Sequence, residues 1–204
     1  MSLYAPTTSP GTTLLLIRHA HSTMAARFCG HSNPPLSDAG REQLPEIIRG
    51  LEPWPVVRVC TSDLKRAYDT AAAIAASRSL SLVVRPGLRE INFGEWEGRS
   101  WEEIEASDPA SASEWLARYP LTAPPGGESF ADYRAKVEKE LRALLEASGQ
   151  ECSAVITHAG FIRTTLAMIL GIPEKSMHQI ELEYGGMTVL HHAAKGWMVG
   201  GVNL

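Results

Sequence analysis

The sequence predicts an α/β fold: a single three-layer αβα sandwich with a mostly parallel central sheet and an antiparallel C-terminal hairpin. Short, continuously apolar runs alternate with helical patterns, which is typical of a parallel sheet covered on both faces. The length of 204 residues suffices for one substantial core but is short for two ordinary domains. Near the C-terminus a glycine pair separates two β-like runs, which indicates the hairpin. We therefore expect one domain over residues 1–204, with residues 1–12 as a flexible leader.

Three strands are predicted in the first half of the chain, over residues 13–17, 56–60 and 80–84. Their apolar residues form unbroken runs instead of alternating with polar ones, which favours burial on both faces of a sheet. A short extended segment over residues 90–93 follows them.

Helical patterns separate these strands. Ser37 is predicted to cap a helix whose apolar face continues to Leu51, and Pro45 should kink or divide that helix. A second helix should begin after Ser62 or Asp63, because either side chain can accept a hydrogen bond from the first turn.

Residues 99–128 look like an insertion that forms a lid over a site. Short helices are expected over residues 99–115, and the Ala-Pro-Pro-Gly-Gly stretch within 121–128 predicts a loop. The remaining predicted elements are a helix beginning at Ser129, a strand over 153–157, a helix over 159–170, and a hairpin of 179–184 with 187–191 around Gly185 and Gly186.

Composition and charge narrow the possible partners. The net charge is -4 and no run of Lys or Arg forms a basic stripe, so we expect no nucleic-acid partner. No apolar run approaches the roughly 18 residues that span a bilayer, so we expect no membrane partner. Cys29, Cys60 and Cys152 match neither a disulfide framework nor a zinc ribbon, which favours a cytoplasmic location. The oligomeric state stays open between monomer and homodimer.

Two predicted strands end in a histidine. Arg18 and His19 follow the first strand, and His158 follows the strand over 153–157. Because ligands of open α/β sheets bind beyond the carboxyl ends of the strands, we expect both histidines to face one crevice. Arg66, early in the helix after the second strand, and Glu90, after the third, belong to the same edge.

This set of side chains suits phosphoryl transfer. Arginine presents a planar fork of donors that matches phosphate oxygens, and a neutral imidazole is a competent nucleophile. A carboxylic acid can protonate the departing alkoxide and later, as a carboxylate, activate water. We therefore predict His19, Glu90, Arg18, Arg66 and His158 as catalytic residues.

The same residues lie in motifs that resemble the histidine phosphatase superfamily, the phosphoglycerate mutase-like group. The matching blocks are Leu15 to Ser22, Arg27 to Gly30, Pro35 to Gly40, Thr61 to Ala67, Leu88 to Gly98 and Thr157 to Gly160. The resemblance implies a phosphohistidine on His19, proton donation by Glu90, and a phosphate pocket of Arg18, Arg66 and His158. It implies no metal and no cofactor.

Two positions depart from the family pattern. Ala20 stands where a glycine usually follows the histidine, and Ala25 stands where an asparagine usually binds phosphate. We expect Ser22, Thr23 or Arg27 to replace the missing donor. The complete set of expected substrate contacts is Ser22, Arg27, Gly30 and Ala159.

The segment from Glu90 to Gly98 resembles the phosphatase branches rather than the mutases, and other motifs are similar to the bacterial α-ribazole phosphatases. The resemblance thus implies a phosphomonoesterase acting on a small-molecule phosphate ester, with α-ribazole phosphate as the leading candidate. Alternatives are mutase-type phosphoryl transfer, a low-activity module that binds phosphorylated ligands, and a metal site built from His19, His21, His158 and Glu90.

Overall fold

The computed structural model describes residues 11–204, which are organised around one six-stranded sheet. The strands are β1 (Thr12–Arg18), β2 (Val56–Thr61), β3 (Leu82–Val84), β4 (Cys152–Thr157), β5 (Met187–Ala193) and β6 (Gly196–Gly201). They lie in the order β3-β2-β4-β1-β5-β6. The first four strands run parallel, whereas β5 and β6 are antiparallel. The predicted mixed, mostly parallel sheet with an antiparallel C-terminal hairpin is thereby confirmed.

Helices cover both faces of the sheet. They are α1 (Asp38–Gly50), α2 (Lys65–Arg78), α3 (Trp101–Ser107), α4 (Pro109–Arg118), α5 (Phe130–Ser148) and α6 (Ala159–Leu170). Side chains of α1 and α2 join one apolar cluster, and those of α5 and α6 join the other. Within residues 11–204, no helix combines the length and apolar character needed to cross a membrane.

The apolar run of β1 explains the three layers. Successive side chains of a strand point to opposite faces, so Leu14 and Leu16 enter the cluster with α5 and α6. Leu15 and Ile17 enter the cluster with α1 and α2. All four side chains are at most 1% exposed. The strand needs apolar residues at every position because both of its faces are buried.

The start of β1 and the course of α1 differ from the predictions. Most of the expected leader lies outside the described residues, but Thr12 is buried and already belongs to β1, where its backbone pairs with His192. Pro45 does not divide α1, which is one helix. A proline has no backbone N–H, so Pro45 cannot donate to the carbonyl of Arg41 one turn earlier. Both residues are exposed, so this carbonyl is on the solvent side of the helix.

The predicted hairpin is displaced along the chain. Residues 179–184 form no strand, and the hairpin is instead β5 with β6, joined by a turn at residues 194–195. Gly185 and Gly186 exchange backbone hydrogen bonds with Arg18 at the end of β1. The glycine pair therefore extends the pairing of β1 instead of forming a hairpin turn.

The second helix begins one or two residues later than predicted. α2 starts at Lys65 with Leu64 as its N-terminal flanking residue, and no side chain caps it. Ser62 Oγ accepts from the backbone N–H of Leu64, so it supports the turn before the helix. The short helices predicted over residues 99–115 are present as α3 and α4.

We expect Leu15→Ala to lower the free energy of unfolding by about 2–5 kcal/mol, because the fully buried side chain leaves a cavity between packed layers. Urea unfolding followed by circular dichroism measures the change. The matched control is Leu116→Ala in α4, whose side chain is 58% exposed and whose loss should change stability by less than about 0.5 kcal/mol. Equal effects of the two variants would contradict the assignment of β1 to the core.

Candidate active site

The parallel pairing of β1 with β4 brings the two histidines together. Arg18 pairs with Thr157, so His19 and His158 are the next residues on neighbouring strands. The backbone N–H of His19 donates to the carbonyl of Thr157 at 3.0 Å. The two imidazole centroids lie 5.1 Å apart, and both side chains are buried. Both histidines therefore lie at one edge of the sheet, as predicted.

The hydrogen bonds of His19 define its reactive nitrogen. Its Nδ1 lies 2.8 Å from the carbonyl oxygen of Ala20, which can only accept, so Nδ1 carries the proton. Nε2 then holds a free lone pair, and it accepts a hydrogen bond from Arg66 Nε at 3.1 Å. Burial, followed by the positive charge of Arg66, lowers the pKa of His19 well below its ordinary value. The imidazole is therefore neutral and keeps its lone pair near pH 7.

His158 forms the N-terminal flank of α6. Its Nε2 lies 3.0 Å from Ser62 Oγ, whereas its Nδ1 is buried and has no hydrogen-bond partner among residues 11–204. Burial, and then the charge of Arg66, lowers the pKa of His158 well below its ordinary value. An unpaired buried nitrogen beside the imidazole of His19 indicates that a ligand completes the hydrogen bonding there.

Arg66 is one of the most deeply buried charged side chains, at 1% exposure. Its Nη1 donates to the carbonyl of Ser32, and its Nη2 donates to the carbonyls of Cys29 and Gly30, at 2.8–3.0 Å. These bonds hold the guanidinium in one orientation before any ligand binds. The loop over residues 29–32 therefore determines where the charge of Arg66 is presented.

Glu97 holds this loop from the other side, and the sequence analysis did not assign it a role. Its carboxylate accepts from the backbone N–H groups of Gly30, His31 and Ser32, and of Phe93. Burial alone would raise its pKa, but the hydrogen bonds from Ser32, Phe93 and His31 outweigh burial and lower it. Glu97 is thus a half-buried, ionised clamp. Its place in the Gly-Glu-Trp-Glu-Gly motif was the only sequence signal.

Gly30, an expected substrate contact, belongs to this clamp. Its N–H donates to Glu97 and its carbonyl accepts from Arg66, so both backbone groups are engaged with the protein. A Cβ at this position would lie 2.0 Å from the carbonyl oxygen of Ile91 and 2.4 Å from Glu97 Oε1. The position requires glycine because the two segments approach so closely.

Arg18 is positioned by a segment that the sequence analysis assigned to a strand. Its Nη1 donates to the carbonyl of Leu182 at 2.6 Å, and its guanidinium carbon lies 3.6 Å from the ring centroid of Tyr184. The ring of Tyr184 also lies 5.6 Å from that of His19. Such stacking holds a guanidinium in place while its edge remains available to an anion. The Nε of Arg18 is buried and has no partner within residues 11–204.

Glu90 is 8% exposed and is held by three donors. Its Oε1 accepts from the N–H of Ile91 and from the Tyr133 hydroxyl, both at 3.0 Å, and its Oε2 accepts from the N–H of Gly160 at 2.9 Å. A Cβ on Gly160 would lie 2.0 Å from Glu90 Oε1, so glycine lets the carboxylate reach the start of α6. Burial, and then the charge of Glu90, raises the pKa of Tyr133 well above its ordinary value, which keeps the hydroxyl a donor.

These groups surround a cavity of about 280 Å³. The predicted residues in its wall are Arg18, His19, Ser22, Arg27, Arg66, Glu90 and Ala159. His158 packs against the ring of His19, and Gly30 lies behind Arg66. Arg27 is tied to α3 by an ion pair with Glu103 at 2.8 Å. The structure thus brings together residues that are up to 141 positions apart (18 to 159) in the chain.

The methyl group of Ala20 does not enter the cavity. It is fully buried and belongs to the apolar cluster that contains Leu36 and Ala67. The departure from glycine therefore leaves the space for an anion unchanged. The turns after Ser22 bring Ala26 and Arg27 to the cavity wall, whereas Ala25 is not part of it.

The alternative metal site does not form among residues 11–204, where no three His, Cys, Asp or Glu side chains come close enough to hold a metal ion. His21 instead points Nδ1 to Ser37 Oγ at 2.7 Å and packs its ring against Tyr184. A cation beside His19 would also meet the charges of Arg18 and Arg66.

The fold and the site define an α/β protein in which two guanidinium groups and a carboxylate surround a neutral imidazole at the carboxyl edge of a parallel sheet. The protein belongs to the histidine phosphatase superfamily (branch 1), whose family model matches residues 14–204. The resemblance seen in the sequence motifs is confirmed.

Sequence similarity to individual relatives supports this family membership. The chain is 28% identical over 174 residues to the adenosylcobalamin/alpha-ribazole phosphatase of Escherichia coli, covering 84% of this chain and 86% of that protein. It is 30% identical over 200 residues to a bifunctional protein of Mycobacterium tuberculosis, covering 93% of this chain but only 55% of that protein. The chain thus spans about half the length of this mycobacterial relative.

Solved structures agree as well. The crystal structure of a putative alpha-ribazole-5'-P phosphatase from Escherichia coli superposes with a TM-score of 0.87 at 26% identity, covering 95% of this chain and 97% of that one. The native structure of a mycobacterial glucosyl-3-phosphoglycerate phosphatase gives a TM-score of 0.81 at 27% identity, covering 94% and 98%.

We expect both buried imidazoles to stay neutral at pH 6. Because their pKa values are lowered in the folded state, the unfolded chain binds more protons once the pH falls below about 6.5. The free energy of unfolding should therefore decrease on acidification through that pH, by up to about 1.4 kcal/mol per pH unit for each imidazole. NMR titration of the histidine rings measures this directly. The urea-unfolded protein is the control, and native titration of His19 or His158 near pH 6.5 would contradict the prediction.

We expect Glu97→Gln to lower the free energy of unfolding by about 1–3 kcal/mol, because an amide nitrogen would face backbone donors that a carboxylate now accepts from. The loosened loop should also weaken the binding of vanadate through Arg66, measured by calorimetry. Glu95→Gln is the matched control, since Glu95 is exposed in the same motif. Equal behaviour of the two variants would remove Glu97 from this positioning role.

Proposed function

We propose that this protein is a phosphomonoesterase that hydrolyses a small phosphate ester through a phosphohistidine on His19. The observation that carries the proposal is the orientation of this imidazole. Its protonated Nδ1 is engaged with Ala20, and its Nε2 lone pair meets Arg66 in a cavity that Arg18 and Glu90 also line. Membership of the histidine phosphatase superfamily and its phosphatase relatives support the same reaction.

In the first step, His19 Nε2 attacks phosphorus and the bond from phosphorus to the alcohol oxygen breaks. Arg18 and Arg66 stabilise the negative charge that spreads over the three equatorial oxygens. The free Nδ1 of His158 and the N-terminus of α6 at Ala159 are positioned to support the same oxygens. Glu90, in its acid form, donates a proton to the departing alkoxide.

In the second step, the carboxylate of Glu90 takes a proton from water, and the resulting hydroxide attacks phosphorus. The bond between phosphorus and His19 Nε2 breaks, which releases inorganic phosphate. Glu90 ends the cycle protonated and His19 ends it neutral, so both groups return to their starting states. Water and the ester are the only compounds consumed.

Further assignments complete the proposal. Ser22 Oγ and the Arg27 guanidinium supply donors where the family's asparagine is missing, since both residues line the cavity. Residues 99–128 act as a lid, because Trp101 reaches the cavity wall and Arg27 is paired with α3. The leading substrate is α-ribazole phosphate, which the names of two compared proteins support.

The site residues all belong to one chain, so catalysis is compatible with a monomer or a homodimer. Cys29, Cys60 and Cys152 form no disulfide. We propose a cytoplasmic location on the basis of these unpaired thiols.

The test is hydrolysis of 4-nitrophenyl phosphate with and without EDTA. We expect phosphate release that is insensitive to the chelator and is abolished in His19→Ala, because this variant lacks the proposed nucleophile. His192→Ala on β5 is the histidine control and should retain activity. When turnover of a radiolabelled substrate is stopped rapidly without acid, labelled phosphate should remain bound to the wild-type protein. That label should be released by acid, as expected for a phosphohistidine. Release that requires a divalent metal, or binding without any release, would contradict the proposal.

We expect Glu90→Gln to reduce kcat/KM for ethyl phosphate by about 10²–10⁴-fold, because an alkoxide needs a proton as it departs. The loss with 4-nitrophenyl phosphate should be much smaller, since nitrophenolate is a stable leaving group. Steady-state rates with both substrates give the comparison, and Glu95→Gln, at an exposed position, is the control carboxylate. Equal losses with the two substrates would remove Glu90 from the acid role.

A further inference from the structure

We propose that Ser62 is a positioning residue that fixes the tautomer of His158, so that the Nδ1–H of His158 donates a hydrogen bond to the transferred phosphoryl group. The inference rests on the proposed function and gives a role to a residue outside the predicted catalytic set. It is carried by the hydrogen bonds that the buried hydroxyl of Ser62 can make.

The hydroxyl of Ser62 has two polar neighbours, and one of them can only donate. The backbone N–H of Leu64 lies 3.2 Å from Ser62 Oγ, so the oxygen accepts that bond. His158 Nε2 lies 3.0 Å from the same oxygen. Ser62 is fully buried, and within residues 11–204 its hydroxyl has no further hydrogen-bond partner. The hydroxyl proton therefore points to His158 Nε2, its one available acceptor.

The bond from Ser62 decides which ring nitrogen of His158 carries a proton. Burial keeps the pKa of His158 well below its ordinary value, so the ring is neutral near pH 7 and has a single N–H. Because Nε2 accepts from the hydroxyl, that proton resides on Nδ1. Nδ1 is the buried nitrogen that has no partner among residues 11–204, and it therefore presents a donor to a ligand instead of a lone pair.

The opposite tautomer would leave two polar groups mismatched. A proton on Nε2 would make Ser62 Oγ accept from both His158 and Leu64, and the buried hydroxyl proton would then have no acceptor in the described part of the chain. The lone pair of Nδ1 would also face the oxygens of an anion bound beside His19 and would repel them. Both effects favour the tautomer that carries Nδ1–H.

The Nδ1–H donor lies beside the reaction centre. The ring centroids of His158 and His19 are 5.1 Å apart, and the next residue, Ala159, lines the catalytic cavity. Both rings carry their proton on Nδ1, but His19 uses it for the carbonyl of Ala20 and presents the Nε2 lone pair. His158 instead binds Ser62 through Nε2 and keeps Nδ1–H for the ligand. A donor fixed in advance stabilises charge that develops on the phosphoryl oxygens without reorienting.

The pairing of β2 with β4 holds Ser62 in place. The N–H of Ser62 donates to the carbonyl of Ile156 at 3.2 Å, and the carbonyl of Ser62 accepts from the hydroxyl of Thr61 at 2.9 Å. Thr61 pairs with Ile156 in the sheet, two residues before His158. The sheet register therefore sets the distance between the serine hydroxyl and the imidazole.

NMR of the wild-type protein reads the tautomer without any change to Ser62. Long-range proton–nitrogen spectra of protein labelled with nitrogen-15 histidine distinguish a protonated ring nitrogen from an unprotonated one, and His158→Gln identifies the signals. We expect a proton on Nδ1 and none on Nε2 at pH 7. Inorganic phosphate should move the Nδ1–H proton signal downfield, because the proton gains a charged acceptor. A proton on Nε2 would overturn the proposal.

The Ser62→Ala variant tests what the tautomer does. It removes the donor to Nε2, so both tautomers of His158 become accessible and part of the population loses the Nδ1–H donor. We expect kcat for 4-nitrophenyl phosphate to fall by about tenfold to hundredfold, while KM changes less than about threefold. Calorimetry should show vanadate binding weakened at least about fivefold, and NMR should show the ring protonated on Nε2.

Thr61→Val is the matched control, because it removes a neighbouring buried hydroxyl that bonds to the carbonyl of Ser62 and not to His158. This variant should keep the wild-type tautomer and should change kcat less than about twofold. Circular dichroism checks that both variants fold. Equal losses of activity in Ser62→Ala and Thr61→Val would reduce Ser62 to a structural role.

The failure of this inference is distinguishable from that of the proposed function. Unchanged kcat and vanadate affinity in Ser62→Ala would overturn the role of Ser62 while leaving the phosphatase assignment intact. Absence of turnover with every ester would overturn the proposed function instead. The spectra and the vanadate affinities would then still test the tautomer, because neither measurement requires turnover.

Discussion

The register of β1 against β4 is the constraint on which the rest of the site depends. Parallel pairing of Arg18 with Thr157 places the next residue of each strand, His19 and His158, at the same edge. The N–H of His19 then donates a hydrogen bond to the carbonyl of Thr157, which places the imidazole at the carboxyl edge of the sheet. A shift of one residue would turn these side chains toward the opposite faces. The apolar run by itself would fill both clusters in either register, but an inward shift would carry the charged Arg18 into the buried position of Ile17.

Backbone N–H and carbonyl groups stabilise the charged side chains of the site as much as opposite charges do. Arg66 is oriented by the carbonyls of residues 29–32, and Glu97 accepts from N–H groups of the same short loop. One loop therefore separates the buried side chain of Arg66 from the half-buried carboxylate of Glu97 and forms hydrogen bonds with both. The guanidinium of Arg66 is thus oriented by backbone carbonyls instead of by a carboxylate.

Two adjoining cavities differ in the side chains that line them. The smaller one is lined by His19, Arg18 and Arg66, and the larger one includes Trp115 and Tyr119 in its wall. Glu90 stands between them, held by Tyr133 and by the N–H of Gly160. The carboxylate of Glu90 therefore lies where the two cavities meet.

The sequence by itself determined the three layers and predicted which polar residues share one site, because buried strands need unbroken apolar runs and the polar residues that follow parallel strands lie at one edge. It did not reveal the true hairpin, since the glycines of β6 weaken its strand signal and Gly185 and Gly186 imitate a turn. Only the tertiary structure decided that Tyr184 stacks on Arg18, that Glu97 clamps the loop behind Arg66, and that the methyl group of Ala20 enters the core. Those contacts join segments far apart in the chain, and a local pattern carries no information about which of them meet.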